Sequence, residues 1–194
     1  MKVLDFWFSI GSTYTYLSVS RLSEIEKTHQ VSFNWYPFSV RKLMMEMNNI
    51  PFTPPEKKVK SDYMWRDIER RAKNYNLSPK IPAPYPLKNF DLANQIAVSG
   101  IEEGWCEEYV KLTYKYWFES GIEAGSEECL NKVSKDMGFD VNDLIEKSNT
   151  DTIIQRYNTQ TDMARELGIF GSPSFIVNGE IFWGDDRLED AIKW

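Results

Sequence analysis

The stretch Val3-Leu4-Asp5-Phe6-Trp7-Phe8-Ser9-Ile10 is apolar and aromatic with β-branched residues at both ends, and it stops at Gly11-Ser12. Such a run, bounded by a turn pair, predicts a buried strand over residues 3–10. After it, Tyr16, Leu17, Val19, Leu22 and Ile25 recur at helical spacing to about residue 27, with Ser12 placed to cap the helix. Residues 31–38 return to strand character, with Val31, Phe33, Trp35 and Pro37 on one side. Two strands joined by a helix over so short a span predict a parallel pair with a right-handed crossover.

The middle of the chain differs in kind. Amphipathic helical patterns cover residues 41–47, 62–76, 91–103, 107–119, 126–137, 141–147 and 151–167, with little strand alternation between them. Proline-rich joints at 51–55 and 79–86 interrupt the series, because a proline inside a helix removes a hydrogen bond and clashes with the preceding turn. Beyond a turn at 168–171, residues 174–178 and 180–183 read as two strands. Asn178-Gly179 between them is a hairpin signal, since both central positions of a type I′ turn need positive φ. Residues 187–193 make a short closing helix.

This order, β-α-β, helices, α-β-β-α, is that of an α/β thioredoxin fold interrupted by a large all-helical insertion. The expected division is a split thioredoxin-like domain at 1–39 and 167–194, a helical insertion at 40–150, and a helix at 151–166 leading back.

The bulk numbers narrow the partners. Hydrophobic residues make up 42% of the chain and aromatics 14%, enough for a substantial core and an aromatic-lined cleft. A net charge of -6 repels polyphosphate and argues against nucleic acid. Asp5 interrupts the N-terminal apolar run, no small-residue cleavage site follows it, and no stretch reaches the ~20 apolar residues a membrane span needs, so a soluble, cytoplasmic chain is expected. Cys106 and Cys129 lie far apart in helical patterns, and with His29 the only histidine no metal site is expected. Two reduced structural thiols are the simpler reading than a disulfide.

Three segments carry candidate chemistry, each with a plain structural alternative. Ser12, between the first strand and helix, could donate a hydrogen bond to a thiolate held at the positive end of the helix, or could be an ordinary cap. Pro173, in Gly171-Ser172-Pro173-Ser174-Phe175, could follow a cis peptide bond or sit in a trans turn. Asp185 and Asp186, beside Arg187, would repel each other unless a cation such as a ligand ammonium lies close; they also suit a helix start without any ligand.

The run from Asp5 to Leu17, the turn from Gly171 to Phe175 and the run Phe182-Trp183-Gly184-Asp185-Asp186-Arg187-Leu188 resemble the 2-hydroxychromene-2-carboxylate isomerases. These are relatives of kappa-class glutathione transferases and, more distantly, of DsbA. The likeness continues through Lys60-Ser61-Asp62-Tyr63-Met64-Trp65-Arg66-Asp67, which is similar to that family's Lys-x-x-Tyr-x-x-x-Asp. In place of the family's Ser-Pro after the first strand this chain has Ser12-Thr13, and Ser9 stands where an acidic residue is common.

The resemblance implies a DsbA-like enzyme with glutathione as cofactor, often a homodimer, acting on a small aromatic substrate. Ser12 would be the catalytic residue holding the glutathione sulfur. Ser172 and a cis Pro173 would pair with the tripeptide, Asp185, Asp186 and Arg187 would take its γ-glutamyl end, and Lys60 and Asn49 would reach it from the insertion. Tyr14, Tyr16, Trp65 and Tyr85 are candidates to wall the substrate pocket. Three activities fit: isomerase, kappa-like glutathione transferase or peroxidase, and a catalytically silent binding module. A dithiol oxidoreductase fits worst, because Ser12 and Thr15 stand where both cysteines would be.

Overall fold

The computed structural model describes residues 1–49 and 55–194. In chain order the elements are β1 (Lys2–Phe8), α1 (Thr15–His29), β2 (Val31–Pro37), α2 (Val40–Glu46), α3 (Lys58–Asn74), α4 (Phe90–Glu103), α5 (Cys106–Lys115), α6 (Glu127–Met137), α7 (Val141–Ser148), α8 (Asp151–Glu166), β3 (Ser174–Val177), β4 (Glu180–Trp183) and α9 (Leu188–Lys193). Short 3-10 turns occupy Pro55–Lys57 and Asp185–Arg187. Except for Pro55, the proline joint at 51–55 lies outside the described residues.

The four strands form one sheet in the order β2-β1-β3-β4. β1 pairs parallel with β2, Phe6 opposite Trp35, and antiparallel with β3, Phe6 opposite Phe175. A central strand covered on both faces reads as nearly continuous apolar sequence, and this explains the aromatic run in β1. Phe6 stacks on Phe175 at 5.2 Å and on Phe8 at 5.1 Å, with Trp35 edge-on at 5.0 Å. β3 and β4 turn at Asn178 and Gly179, whose φ values of 51° and 80° are the positive pair that the dipeptide predicts.

Helix α1 starts later than the sequence pattern suggests. Its first residue is Thr15, Tyr14 occupies the cap position without a side-chain bond, and Ser12 does not cap it. The reason is a turn before the helix: Gly11 takes φ +119°, the Ser12 amide donates to the Ser9 carbonyl, and the Ser12 hydroxyl donates away from the helix. The Tyr16 and Leu17 amides are already taken by the Thr13 and Tyr14 carbonyls. Those helix amides therefore do not serve an anion at Ser12.

Among the described residues, 40–150 hold helices and loops and no strand. Capping hydroxyls and carboxylates set several of their starts: Ser39 accepts from the Lys42 amide, Ser126 from Cys129, and Asp140 from Asn142. The pattern read as one helix over 107–119 is α5 followed by a π-turn at Tyr116–Ser120. Adjacent Trp117 and Phe118 in this widened turn are completely buried. Phe118 stacks on Tyr16 of α1 at 4.3 Å and 5°, so the insertion and the sheet share one continuous apolar core.

Candidate active site

The segment from Ser9 to Thr15 is held from several sides. Asn94, fully buried on α4, accepts from the Ile10 amide at 2.7 Å and donates to the Ile10 carbonyl at 2.9 Å and to Phe90 at 2.8 Å. Buried polar groups must be paired, and here one amide pairs the whole peptide of a loop residue. The Tyr114 hydroxyl lies 3.1 Å from both the Ser9 and the Ser12 carbonyls. Burial raises that phenol above its ordinary value, so it acts as a donor and not as a base. Gly11 lies against Phe90: a Cβ there would be 2.5 Å from the ring.

Opposite this loop stands the turn before β3, where the Ser172–Pro173 bond is cis. The Ser172 hydroxyl accepts from the Ser9 amide at 2.9 Å and meets the Thr15 hydroxyl at 2.9 Å. The Ser12 hydroxyl donates to the Ser172 carbonyl at 2.6 Å. Ser12, Thr15 and Ser172 thus join the strand–helix turn to the proline turn. Ser12 is half-buried and Thr15 fully buried.

Above them opens a cleft of about 490 Å³. Ser12, Ser172, Tyr14 and Tyr85 line it, as do Asn49 from the turn after α2 and Lys60 from α3. Phe170 and Trp183, edge-to-face at 4.8 Å and both exposed, form an apolar rim over Gly171. The charged side chains of the lining are Arg41 and Lys60; among the described residues no carboxylate lines the cleft. Tyr14 donates to Asp67 of α3 at 2.9 Å, and burial together with that carboxylate raises its phenol above the usual range.

Two of the expected wall residues lie elsewhere. Tyr16 is buried against Phe118, and its phenol is pushed up to about 12 by burial; the first turn of α1 points it into the core. Trp65 stands behind Tyr85, edge-on at 6.0 Å, and leans on Phe118, outside the lining.

The acidic pair also differs from expectation. The cation beside Asp185 belongs to the protein: Arg71 of α3 donates to its carboxylate from Nε at 3.0 Å and Nη2 at 2.7 Å. Asp185 is 1% exposed, and burial lifts its carboxyl to about 6 even though the Arg71 guanidinium pulls it down. Asp186 and Arg187 are half-exposed and bonded to each other at 3.2 Å. Asp185, Asp186 and Arg187 flank the cleft without lining it.

Sequence reasoning passes over Arg41, Arg71, Asn94, Tyr114, Phe170 and Trp183. A signal for Arg71 is present: Lys60, Tyr63, Met64, Asp67 and Arg71 follow the helical period from Lys60, a site residue that the resemblance implies on α3. Nothing local marks Asn94 or Tyr114, whose partners lie 84 and 102 or more positions away.

Both cysteines are free and buried, Cys129 with its thiol pushed up to about 11. Among the described residues no cluster of His, Cys, Asp or Glu could hold a metal ion, and no helix is long and apolar enough to cross a membrane.

Comparison with known proteins agrees with this architecture. The chain is 26% identical to the 2-hydroxychromene-2-carboxylate isomerase of Pseudomonas sp. (strain C18), over 96% of its own length and 86% of that protein. It is 25% identical to the enzyme of the same name from Sphingobium xenophagum, over 97% and 95% of the two chains. A solved structure of a 2-hydroxychromene-2-carboxylate isomerase superposes with a TM-score of 0.85 at 26% identity, covering 97% of this chain and 91% of that one. Residues 3–192 match the DSBA-like thioredoxin domain, nearly the whole chain, and the chain belongs to that family.

Proposed function

We propose that this protein is a glutathione-dependent isomerase of an aromatic 2-hydroxychromene-2-carboxylate-type substrate, with Ser12 holding the glutathione thiolate. The observation that carries the reading is the Ser12 hydroxyl beside the cis-proline turn, on the cleft floor, with no cysteine in the lining. A thiol acting there must come from outside the chain. The similarity of nearly the whole chain to proteins named for this isomerisation supplies the reaction class.

The residues present suit a tripeptide thiolate. Its two carboxylates and its sulfur are anionic, and the cleft offers the Lys60 ammonium and several hydroxyls with no carboxylate among the described lining residues. Lys60 would meet the glycyl carboxylate and Asn49 would hydrogen-bond the same arm. The γ-glutamyl end is a zwitterion, and Asp186 beside Arg187 offers one charge of each sign, Asp185 being already matched by Arg71. Glutathione would supply a nucleophile that adds reversibly to an electron-poor carbon, so that a double bond becomes single, turns, and re-forms as the thiolate leaves.

Ser12 would act by exchanging partners. Its single proton is now donated to the Ser172 carbonyl. Turned to a sulfur anion it makes a charge-assisted bond, about twice as strong as a neutral one. The vacated Ser172 carbonyl would then accept the cysteinyl N–H of the tripeptide, so no buried group loses a partner. Tyr114 and Asn94 would keep the loop still during this exchange, limiting reorganisation at the step where charge shifts.

The test is conversion of 2-hydroxychromene-2-carboxylate, followed by absorbance, at a tenth of the substrate's concentration of glutathione. Complete conversion with free thiol undiminished supports an isomerase. Consumption of one thiol per turnover would make it a transferase, and no dependence on glutathione would remove the cofactor from the account.

A further inference from the structure

Arg41, in the first turn of α2, is placed in a way none of the readings above uses. Its guanidinium lies 4.1 Å from the Phe90 ring centroid, and its Nη2 donates to the Leu87 carbonyl at 3.0 Å. Phe90 in turn packs against Gly11, the residue before Ser12. One benzene ring therefore separates this cation from the catalytic loop. Arg21, Arg66, Arg71, Arg156, Arg165 and Arg187 each pair with a carboxylate; among the described residues Arg41 and Arg70 have no carboxylate ion pair, and of these two it is Arg41 that lines the cleft. A guanidinium has five N–H donors in a planar fork, and one bond to Leu87 leaves an edge for a second acceptor.

From this placement we infer that Arg41 receives the carboxylate of the aromatic substrate and makes the cleft selective for acids over uncharged aromatics. The cleft belongs to a chain with 29 acidic residues, none of which lines it among the described ones, so the charged groups of its lining, Arg41 and Lys60, are both of the sign that attracts a carboxylate. Stacking on Phe90 and bonding to Leu87 fix the guanidinium beforehand, so little side-chain freedom is lost on binding. Lys60 is exposed, on α3, a different element of the lining, and suits the carboxylate of the tripeptide. The two cations would thus sort two anions, one for each ligand. Fixing the acid at one end leaves the ring among Tyr85, Met44 and Met64 and the conjugated carbon near Ser12.

The inference rests on the isomerase reading for the identity of the ligand, and its test does not need turnover. Chromone-2-carboxylate, an unreactive bicyclic acid, and its methyl ester are titrated by calorimetry into the wild type, Arg41→Met and Arg41→Gln, the last keeping a donor for Leu87. The wild type is expected to bind the acid roughly tenfold or more tightly than the ester, and both variants to lose that preference. Glutathione affinity, titrated separately, is expected to be the same in all three. Equal binding of acid and ester by the wild type, or an acid preference that survives in the variants, overturns the assignment. Should Arg41→Met not fold, Arg41→Gln and the wild-type ratio decide it. A wild type that binds the acid selectively but ignores glutathione would sink the cofactor reading and leave Arg41's role standing.

Discussion

The Ser12 hydroxyl donates to the Ser172 carbonyl across 2.6 Å, joining residues 160 positions apart in sequence. This bond brings the strand–helix turn onto the cis-proline turn and fixes where an incoming sulfur would sit. Ser12→Ala removes the donor and leaves a half-buried carbonyl within reach of water. Stability should fall by less than about 1 kcal/mol. The glutathione-dependent kcat/KM should fall roughly 100-fold or more, as when a donor to developing charge is lost. Urea unfolding and steady-state kinetics on the same preparation check the two values; a variant with near-wild-type turnover would dismiss the hydroxyl from catalysis.

Two cleft glycines should respond differently to alanine. Gly11 combines φ +119° with a Cβ position 2.5 Å from the Phe90 ring, which is buried and cannot retreat. Gly11→Ala should lose about 2–4 kcal/mol of unfolding free energy. At Gly171 the clash is with the Trp183 indole, 2.1 Å from Cβ, but Trp183 is 53% exposed and free to swing outward. Gly171→Ala should unfold within about 1 kcal/mol of wild type while shifting the tryptophan fluorescence of the cleft rim.

Asn94 makes a prediction about the loop itself. Replacing it by leucine keeps the size but strands the amide and carbonyl of Ile10, both buried. Each unpaired group costs about 1–3 kcal/mol, so denaturant unfolding of Asn94→Leu should show a loss of about 2–6 kcal/mol. Asn94→Asp, which can still accept from Ile10, should lose less.

The contrast among these residues shows what was readable. The β1 aromatic run, the Asn178-Gly179 turn and the helical periods of the insertion are local signals, and the elements they predict are present to within a few residues. The start of α1 differs from the pattern because residue type marks Ser12 as a cap, whereas its hydroxyl is claimed by a carbonyl far along the chain. Tyr16 looks like any cleft tyrosine until Phe118 is seen stacked on it. Arg71 shares the helical period of Lys60 and Asp67, but that spacing does not reveal its partner, Asp185, 114 positions away. Short-range pattern fixed the elements, and long-range pairing decided which side chains reached the cleft.

That pairing between Arg71 and Asp185 gives a pH dependence whose sign can be worked out. Asp185 is buried, and its folded-state carboxyl lies near 6, above the ordinary value of 3.8. Between about pH 4 and 6 the folded chain then binds more protons than the unfolded one, so this group makes stability fall as pH rises through the window. Arg71 limits the fall by opposing the effect of burial. Arg71→Met leaves the carboxylate buried without its partner, and at pH 8 the variant should lose about 3–5 kcal/mol. As pH drops toward 5 the carboxyl takes up a proton and the loss should shrink. Arg71→Met/Asp185→Asn, lacking the charge altogether, should recover most of the stability at pH 8 and show little change across the range. Thermal unfolding of the wild type and both variants at pH 5, 6.5 and 8 measures this directly. A loss in Arg71→Met that stays constant with pH would mean that Asp185 reaches solvent and that the insertion helix is held to the sheet by packing alone.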